Sequence, residues 1–485
     1  MRLARAAVAA LLTLAAFAPA LSVGFLSDDF LILRALDGGG PLGFLVFGWS
    51  FFRPLTSLSL WLDRAAWGST AVGFHATSLT LHAACAFAVG ELARSLVRAG
   101  VLRDANDRLP LLATAAFAVA PSHAEPVCWL AARGDLLATL FGVAALALHL
   151  ERRRALAIAA FFLALSAKES VLALPLVALA LDRRPLRARL PDLGAFTLAL
   201  AGFVVLRRAA SGHWIGGYGT SVHLTPDPLA WLASLATYPW RAVSPALART
   251  ASVTTRLAEL AGLAPIALAF ALALSPSRRR SAGRAIALLT SALVLAALPV
   301  LSLEVARADV EGERFLYFPS VFGVVAISAA LVTIANRTAQ RVASLAFVAG
   351  WAVALAPSVI VFRTSGEIVR ACVAALAAAP RDVVVIGLPE SYRGAPTLRN
   401  GLREALAREE EPSIAAFTAL AEVSDSVVCA ADGAALSCAI GGTSRFVAFA
   451  GSELATPGDP PTRFVRVVAE GRPLVMWESG ALSPH

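Results

Sequence analysis

The sequence predicts a polytopic α-helical membrane protein with a small α/β or α+β extramembrane domain at its C-terminal end. Of its 485 residues, 58% are hydrophobic and 15% are charged, whereas about 25% charged residues is usual for soluble globular domains. Apolar segments of about 18–22 residues recur along the chain, and short arginine-rich loops separate them. After residue 380 the composition changes to short β-branched runs, which are typical of strands.

About eleven segments are apolar enough to be predicted as transmembrane helices. They are 3–25, 72–93, 109–122, 135–150, 155–167, 170–181, 192–206, 257–275, 285–302, 316–335 and 342–362. Segment 1–25 could instead be a cleaved signal peptide, because Arg2 and Arg5 precede its apolar run, but we favour an uncleaved helix. Segment 229–250 contains Trp and Pro and is more typical of an interfacial or re-entrant helix.

The arginine-rich loops predict the orientation of these helices. They lie at the N-terminus and at 94–108, 151–154, 182–189, 277–284 and 336–341. Positively charged loops stay in the cytoplasm, and one pair of predicted spans separates each loop from the next. We therefore expect a cytoplasmic N-terminus and a C-terminal domain on the periplasmic or extracellular side. Orientation also accounts for the net charge of +9, so nucleic acid is not expected as a partner.

The predicted outer loops 26–70, 121–134 and 207–256 hold polar side chains that orientation does not require. Asp28 and Asp29 follow the first apolar segment directly. Adjacent carboxylates repel each other, and near a bilayer each is more stable in water or beside a cation. A hydrophilic end to the first helix would explain the pair most simply. The gathering of such residues on one face suggests a site.

Further candidate residues lie in these outer loops or in the predicted span 72–93. Arg53 precedes a proline, which favours an extended or turn conformation. His75 and His82 are seven residues apart and share a helix face, where they could line a polar cavity or serve helix packing. His123 and Glu125 are two residues apart, so they could share a metal ion.

Two positively charged residues, Lys168 and Arg314, lie between predicted spans further along the chain. Lys168, next to Glu169, interrupts an apolar run; it could bind a phosphate as a point charge or simply mark an outer turn. Arg314 and Tyr317 lie three residues apart at the entry to a span. Arginine at an interface can bind a lipid phosphate, and tyrosine commonly anchors a helix there.

In chain order, the Asp-Asp pair is followed by "RPLTSLSLWL", "GFHATSLTLHA", "APSHAEPVCWLAARGDLLA", "SAKES" and "ERFLYFPSV". This order resembles the membrane half of the tetratricopeptide-repeat-containing O-mannosyltransferases and their bacterial relatives, which belong to the GT-C superfamily. The resemblance covers roughly residues 1–365. It departs from the repeat-containing enzymes in one respect: no helical repeat of about 34 residues follows the last predicted span, which leaves the acceptor open.

The resemblance implies an inverting hexosyl- or mannosyltransferase of a bacterial inner (plasma) membrane. It would move a sugar from a polyprenyl-phosphate donor to a hydroxyl of a protein, glycan or lipid at the non-cytoplasmic face. Such a transfer needs a base for the hydroxyl and positive charge on the leaving phosphate. The implied base is Asp28 or Asp29. Donor-phosphate or substrate binding is implied for Arg53, His75, His123, Glu125, Lys168, Arg314 and Tyr317, and an optional divalent metal for Asp29, His123 and Glu125.

Residues 380–485 predict the C-terminal domain. "RDVVVIGLP" is typical of a buried strand, "TLRNGLREALAREE" of an amphipathic helix, and several later runs of strands. Cys429 and Cys438 flank a stretch that could form a hairpin turn, and in an oxidising compartment they could form a disulfide.

Two other functions stay open. A transporter or flippase for a lipid-linked or small substrate would also carry ionisable residues among its helices, although transporters usually show internal repeats and charges near the bilayer midplane. A non-catalytic scaffold that presents the C-terminal domain would leave Asp28, Asp29, His123 and Glu125 without a role.

Overall fold

The computed structural model describes residues 2–43, 51–103, 108–214, 228–246, 257, 282–303, 305–306, 309–378 and 384–409, together with strand segments within 416–484. Contacts divide the chain into two compact units. The helical unit contains Met1–Leu21 and Gly39–Val359, and the C-terminal unit contains Ser22–Gly38 and Ile360–His485. The sequence predicts a domain boundary between 365 and 380. The division by contacts differs from this predicted boundary, because the C-terminal unit also includes Ser22–Gly38, the segment that contains the two aspartates.

Helices form most of the helical unit. They are Arg2–Phe17, Pro54–Trp67, Ala71–Arg98, Leu109–Ala118, Ala124–Cys128, Arg133–Leu150, Arg154–Ala167, Leu174–Leu181, Leu186–Ser211, Pro228–Arg241, Ala282–Ala297 and Tyr317–Leu331. Short 3-10 turns lie at Ala18–Ser22, Leu130–Ala132, Glu169–Val171, Leu298–Val300 and Glu313–Leu316. The long helix Arg337–Ala377 begins in this unit and ends in the C-terminal unit.

Seven helical stretches are long and apolar enough to cross a membrane: Arg2–Ser22, Ala71–Arg98, Leu130–Leu150, Leu186–Ser211, Gly283–Val300, Glu313–Leu331 and Arg337–Ala377. Three shorter apolar helices are Leu109–Ala118, Arg154–Ala167 and Glu169–Leu181. The prediction of a mostly helical chain with several candidate spans is confirmed. Each of these ten stretches overlaps a predicted span, and the eleventh, 257–275, lies outside the described residues apart from residue 257. The number of eleven spans therefore stays a prediction.

The helix Tyr317–Leu331 lies at the centre of the helical unit, because all 15 of its residues are buried. Other candidate spans expose large apolar side chains; Leu198 and Leu345 are 75% and 72% exposed, which is typical of a surface that faces lipid. Close helix packing depends on small residues. A Cβ added at Gly90 would overlap Thr114 Oγ1 and lie 2.7 Å from the carbonyl oxygen of Pro110.

The C-terminal unit contains twelve strands among its described residues. They are β1 (Val384–Ile386), β2 (Leu388–Pro389), β3 (Ser391–Tyr392), β4 (Ala395–Pro396), β5 (Ala416–Phe417), β6 (Leu420–Ala421), β7 (Ser426–Asp432), β8 (Ala435–Gly441), β9 (Ser452–Ala455), β10 (Thr462–Val468), β11 (Leu474–Glu478) and β12 (Ala481–Pro484). One sheet has the order β12-β11-β1-β5, with β1 parallel to β11 and β5. A second four-stranded sheet has the order β7-β8-β10-β9 and is antiparallel. Two further pairs of strands are β2 with β6, which are parallel, and β3 with β4, which are antiparallel.

Parts of the predicted C-terminal domain are confirmed. The apolar run before residue 390 forms β1 and β2, and the predicted amphipathic helix includes Leu402–Leu406. Strands β7 and β8 are antiparallel neighbours in which Cys429 and Cys438 are direct partners in register. The predicted hairpin is therefore correct, and the disulfide between these cysteines stays a prediction.

Candidate functional site

Glu125 is held by Arg314 through two contacts. Glu125 lies in the short helix Ala124–Cys128 and is only 1% exposed. The backbone N–H of Arg314 donates to Glu125 Oε2 at 2.7 Å, and the guanidinium pairs with Oε1. That guanidinium also lies over the rings of Trp129, at 4.9 Å, and Phe315, at 4.4 Å. Burial raises the pKa of the Glu125 carboxyl, while the charge and the backbone N–H of Arg314 oppose the rise.

Lys168 forms a second buried ion pair nearby. Its ammonium pairs with Asp135, and both residues are at least 95% buried. Lys168 Nζ lies 5.3 Å from the centroid of the Phe315 ring, which the Arg314 guanidinium also covers. The two cations therefore share one aromatic neighbour. Gly134 allows close packing beside this pair, because a Cβ there would lie 3.1 Å from Thr56 Oγ1 and 3.2 Å from the carbonyl oxygen of Ala167.

Arg53 forms the third and most exposed pair. It immediately precedes the helix Pro54–Trp67 and donates to both carboxylate oxygens of Glu169, at 3.0 and 2.7 Å. This bidentate geometry is the one in which a guanidinium binds a carboxylate or a phosphate most strongly. The side chains are 13% and 26% exposed.

Electrostatic interactions join the three pairs, because Asp135 interacts with Lys168, Arg314 and Arg53. We call these six residues the charged cluster: Arg53, Glu125, Asp135, Lys168, Glu169 and Arg314. The cluster therefore contains four residues of the predicted site. Asp135 and Glu169 were not among the predicted site residues, although both lie in the stretches that carry the resemblance.

His123 and Tyr317 belong to a neighbouring uncharged group. His123 Nε2 lies 2.8 Å from Ser320 Oγ, and its Nδ1 lies 3.1 Å from the carbonyl oxygen of Phe117. Tyr317 Oη lies 2.6 Å from His82 Nδ1, and the rings of His123 and Tyr317 are 4.5 Å apart. Burial lowers the pKa of His123, so its imidazole is neutral at pH 7. Tyr317 is fully buried, unlike a tyrosine that anchors a helix at the membrane interface.

His75 is buried near another ion pair that the sequence did not predict as functional. It follows Phe74, whose carbonyl oxygen accepts a hydrogen bond from Arg133 at 2.7 Å. Arg133 is completely buried and pairs with Asp63. Thr77 donates to the same carboxylate at 2.7 Å. Charged residues in an otherwise apolar stretch were the sequence feature from which this buried ion pair could have been predicted.

The residues predicted to hold a metal ion are engaged in other contacts. Both ring nitrogens of His123 and both carboxylate oxygens of Glu125 have the protein partners given above, and Asp29 belongs to the C-terminal unit. A metal ion shared by these three residues stays a prediction, and we derive no step through one. Among the described residues, a group with ligand atoms within 4.8 Å of one another is His149, Asp182 and Asp192.

The two predicted catalytic aspartates differ in their surroundings. The helix Asp28–Gly43 begins at the first of them. Asp29 is 2% exposed, and its Oδ2 accepts a hydrogen bond from the backbone N–H of Leu26 at 2.9 Å. Asp28 is half-buried, and its Oδ1 accepts a hydrogen bond from Asn400 Nδ2 at 2.6 Å. Asp29 thus stabilises the start of the helix, and Asp28 is the more accessible carboxylate. Their convergence with the charged cluster stays a prediction.

Comparison with known proteins gives one distant similarity. Over 102 residues, the chain is 29% identical to a protein from Caenorhabditis elegans described as "Protein O-mannosyl-transferase F38B6.6". The match covers 21% of this chain and 14% of the relative's length. No protein-family profile matches the chain, and no solved structure matches it.

Proposed function

We propose that this protein is an integral-membrane glycosyltransferase that uses a polyprenyl-phosphate-linked sugar as its donor. The acceptor would be a hydroxyl of a protein, glycan or lipid. The similarity to an O-mannosyl-transferase over 102 residues and the seven candidate spans support a membrane glycosyltransferase. The more specific proposal has a GT-C-type fold with eleven spans in the inner membrane of a bacterium, an N-terminus in the cytoplasm and a site at the opposite face.

The charged cluster carries this proposal. Arg53, Lys168 and Arg314 lie in one buried group at the end of the helical unit where Tyr317–Leu331 begins. In the absence of substrate, carboxylates balance all three cations. A phosphate could exchange with Glu169 at Arg53, because that pair is the most exposed and its fork geometry suits either anion. Lys168 and Arg314 would then add positive charge close to the leaving phosphate.

The proposed reaction is a single displacement at the anomeric carbon of the sugar. The acceptor oxygen forms a bond to that carbon while the bond to the phosphate oxygen breaks, which inverts the configuration. The electron pair leaves with the polyprenyl phosphate, whose charge the cations stabilise. The acceptor proton passes to a carboxylate. We assign this role to Asp28 rather than Asp29, because Asp28 is the more accessible of the two.

A transfer assay tests the proposal. Purified protein is mixed with polyprenyl-phosphate mannose or glucose that carries a labelled sugar, and with a membrane extract as acceptor. We expect the label to move from the polyprenyl-phosphate donor to a new product, which chromatography separates from the donor. Asp28→Asn should lower the rate about 10²–10⁴-fold, the usual contribution of a general base. Asp37→Asn is the matched control, because Asp37 is an exposed acid of the same helix. An Asp28→Asn rate equal to that of the wild type would remove the proposed base.

The same preparation distinguishes the transporter hypothesis. In sealed vesicles, movement of the labelled lipid across the bilayer without transfer to any acceptor would support a flippase.

The substitution Arg53→Gln tests the proposed phosphate contact. Slower transfer with a higher KM for the donor would support that contact. An unchanged KM would contradict that contact.

A further inference from the structure

A cavity of about 350 Å³ lies in the helical unit, far from the charged cluster. The central helix Tyr317–Leu331 begins next to Arg314 of the cluster, and Ala329 and Ala330 near its other end line the cavity. Its 15 residues correspond to a length of about 22 Å. The cavity and the cluster therefore lie at opposite ends of the same helix.

Three arginines from separate parts of the chain line this cavity: Arg103, Arg183 and Arg284. All three are exposed, and the described residues that line the cavity include no acid. Arg183 donates to the carbonyl oxygen of Gly100, which holds its guanidinium at the cavity. Within the described part of the chain, no carboxylate pairs with Arg103 or Arg284. The nearby Asp182 is already paired with Arg152 and Arg184, so the described lining of the cavity is positively charged.

Apart from Gly100 and the polar Thr333, the other described lining residues have apolar side chains: Val101, Leu102, Ala285, Ile286, Leu288, Ala329 and Ala330. The cavity lies where three candidate spans terminate, because Ala71–Arg98 and Glu313–Leu331 end beside it and Gly283–Val300 begins there. This position corresponds to the depth of the lipid headgroups, at the face predicted to be cytoplasmic. Cations next to an apolar wall at that depth suit an anionic amphiphile better than a free anion.

We propose that this cavity binds the headgroup of an anionic phospholipid from the cytoplasmic leaflet. The guanidinium groups contact the phosphate, and the apolar wall contacts the glycerol and the first methylene groups of the acyl chains. Orientation alone requires only that arginines occur in the loops. It does not require that arginines from three loops surround one cavity with an apolar wall. The inference does not depend on the proposed sugar transfer.

Binding is tested with the full-length protein in detergent by titration with phosphatidylglycerol, phosphatidylcholine or inorganic phosphate. The readout is the number of bound lipids in native mass spectrometry. We expect phosphatidylglycerol to bind with a defined stoichiometry and phosphatidylcholine to bind far more weakly. The triple substitution Arg103→Gln, Arg183→Gln and Arg284→Gln should weaken phosphatidylglycerol binding by up to about a hundredfold, at about fivefold for each arginine near an anionic surface.

The matched control removes the same charge elsewhere at the same end of the unit. Arg187, Arg337 and Arg341 are exposed and do not line the cavity. Their replacement with glutamine should leave phosphatidylglycerol binding within about twofold of the wild type, because none of them lines the cavity. Equal losses in the two triple variants would overturn the proposal in favour of general surface electrostatics. Equal competition by millimolar inorganic phosphate would show a free-anion site and would also overturn it.

Discussion

The Arg314–Glu125 pair allows a quantitative test of the charged cluster. The substitution Arg314→Gln removes the guanidinium but keeps the backbone N–H that donates to Glu125 Oε2. Glu125 is 1% exposed, so the variant leaves a buried carboxylate without its cation. Breaking a buried pair in this way typically lowers the free energy of unfolding by about 3–5 kcal/mol. We expect a loss of this size at pH 8.

The loss should depend on pH. Without Arg314, burial holds the pKa of Glu125 above its value of about 4.3 in the unfolded chain. The contribution of a group with a raised pKa is fully present below its unfolded pKa and is lost as the pH rises through the folded pKa. The destabilisation of the variant should therefore grow from pH 5 to pH 8, by at most about 1.4 kcal/mol for each pH unit.

Thermal unfolding in detergent at pH 5.5 and pH 8 measures this pH-dependent destabilisation. Size-exclusion chromatography monitors the fraction of protein that stays folded. The double variant Glu125→Gln with Arg314→Gln is the control, because it removes both charges. It should be more stable than Arg314→Gln at pH 8 and should lack the additional pH dependence. An Arg314→Gln protein as stable as the wild type, or equally destabilised at both pH values, would refute the burial argument.

Three further predictions concern the helical unit. Lys168→Met should lower stability by about 3–5 kcal/mol, because it leaves Asp135 buried without its cation; adding Asp135→Asn should recover most of the loss in thermal unfolding. Gly90→Ala should lower the free energy of unfolding by about 1–3 kcal/mol through overpacking. The control Gly202→Ala should not lower it, because a Cβ there would contact no atom within 4 Å. The melting temperatures of the two variants test this difference. Burial tends to raise the pKa of Asp182, but hydrogen bonds from arginines outweigh it and hold that pKa well below its usual value. The stabilisation that the Asp182 carboxylate provides is therefore present above pH about 4 and is lost as the pH falls below it. Asp182→Asn should lower the melting temperature at neutral pH, and its difference from the wild type should become smaller below pH 4.

The locations of the apolar helices could be predicted from the sequence. Hydropathy is a local property, and a run of apolar residues forms a helix in lipid because its backbone hydrogen bonds must be satisfied within the segment. Because hydropathy is local, the charges at Lys168 and Glu169 were also noticeable, since they interrupt an apolar run. Lys168 and Arg314 lie in one cluster with Arg53, and phosphate binding by these residues stays a prediction. Asp135 and Glu169, which pair with Lys168 and Arg53, were missed as site residues.

Apolar side chains that face protein could not be distinguished from those that face lipid. The sequence of Tyr317–Leu331 is apolar on all sides, as is that of a helix surrounded by lipid. The structure buries this helix completely, which places Tyr317 beside His82 instead of at an interface. The difference depends on neighbouring helices, so hydropathy carries no information about it.

The sequence by itself determined that this is a mostly helical chain with several candidate membrane spans, and it identified the charged residues that such a chain must accommodate. Only the tertiary structure decided which charges pair: Glu125 and Arg314 are 189 residues apart, and Asp28 and Asn400 are 372 apart. The physical reason is that helix formation follows from neighbouring residues, whereas a buried ion pair depends on how distant helices pack.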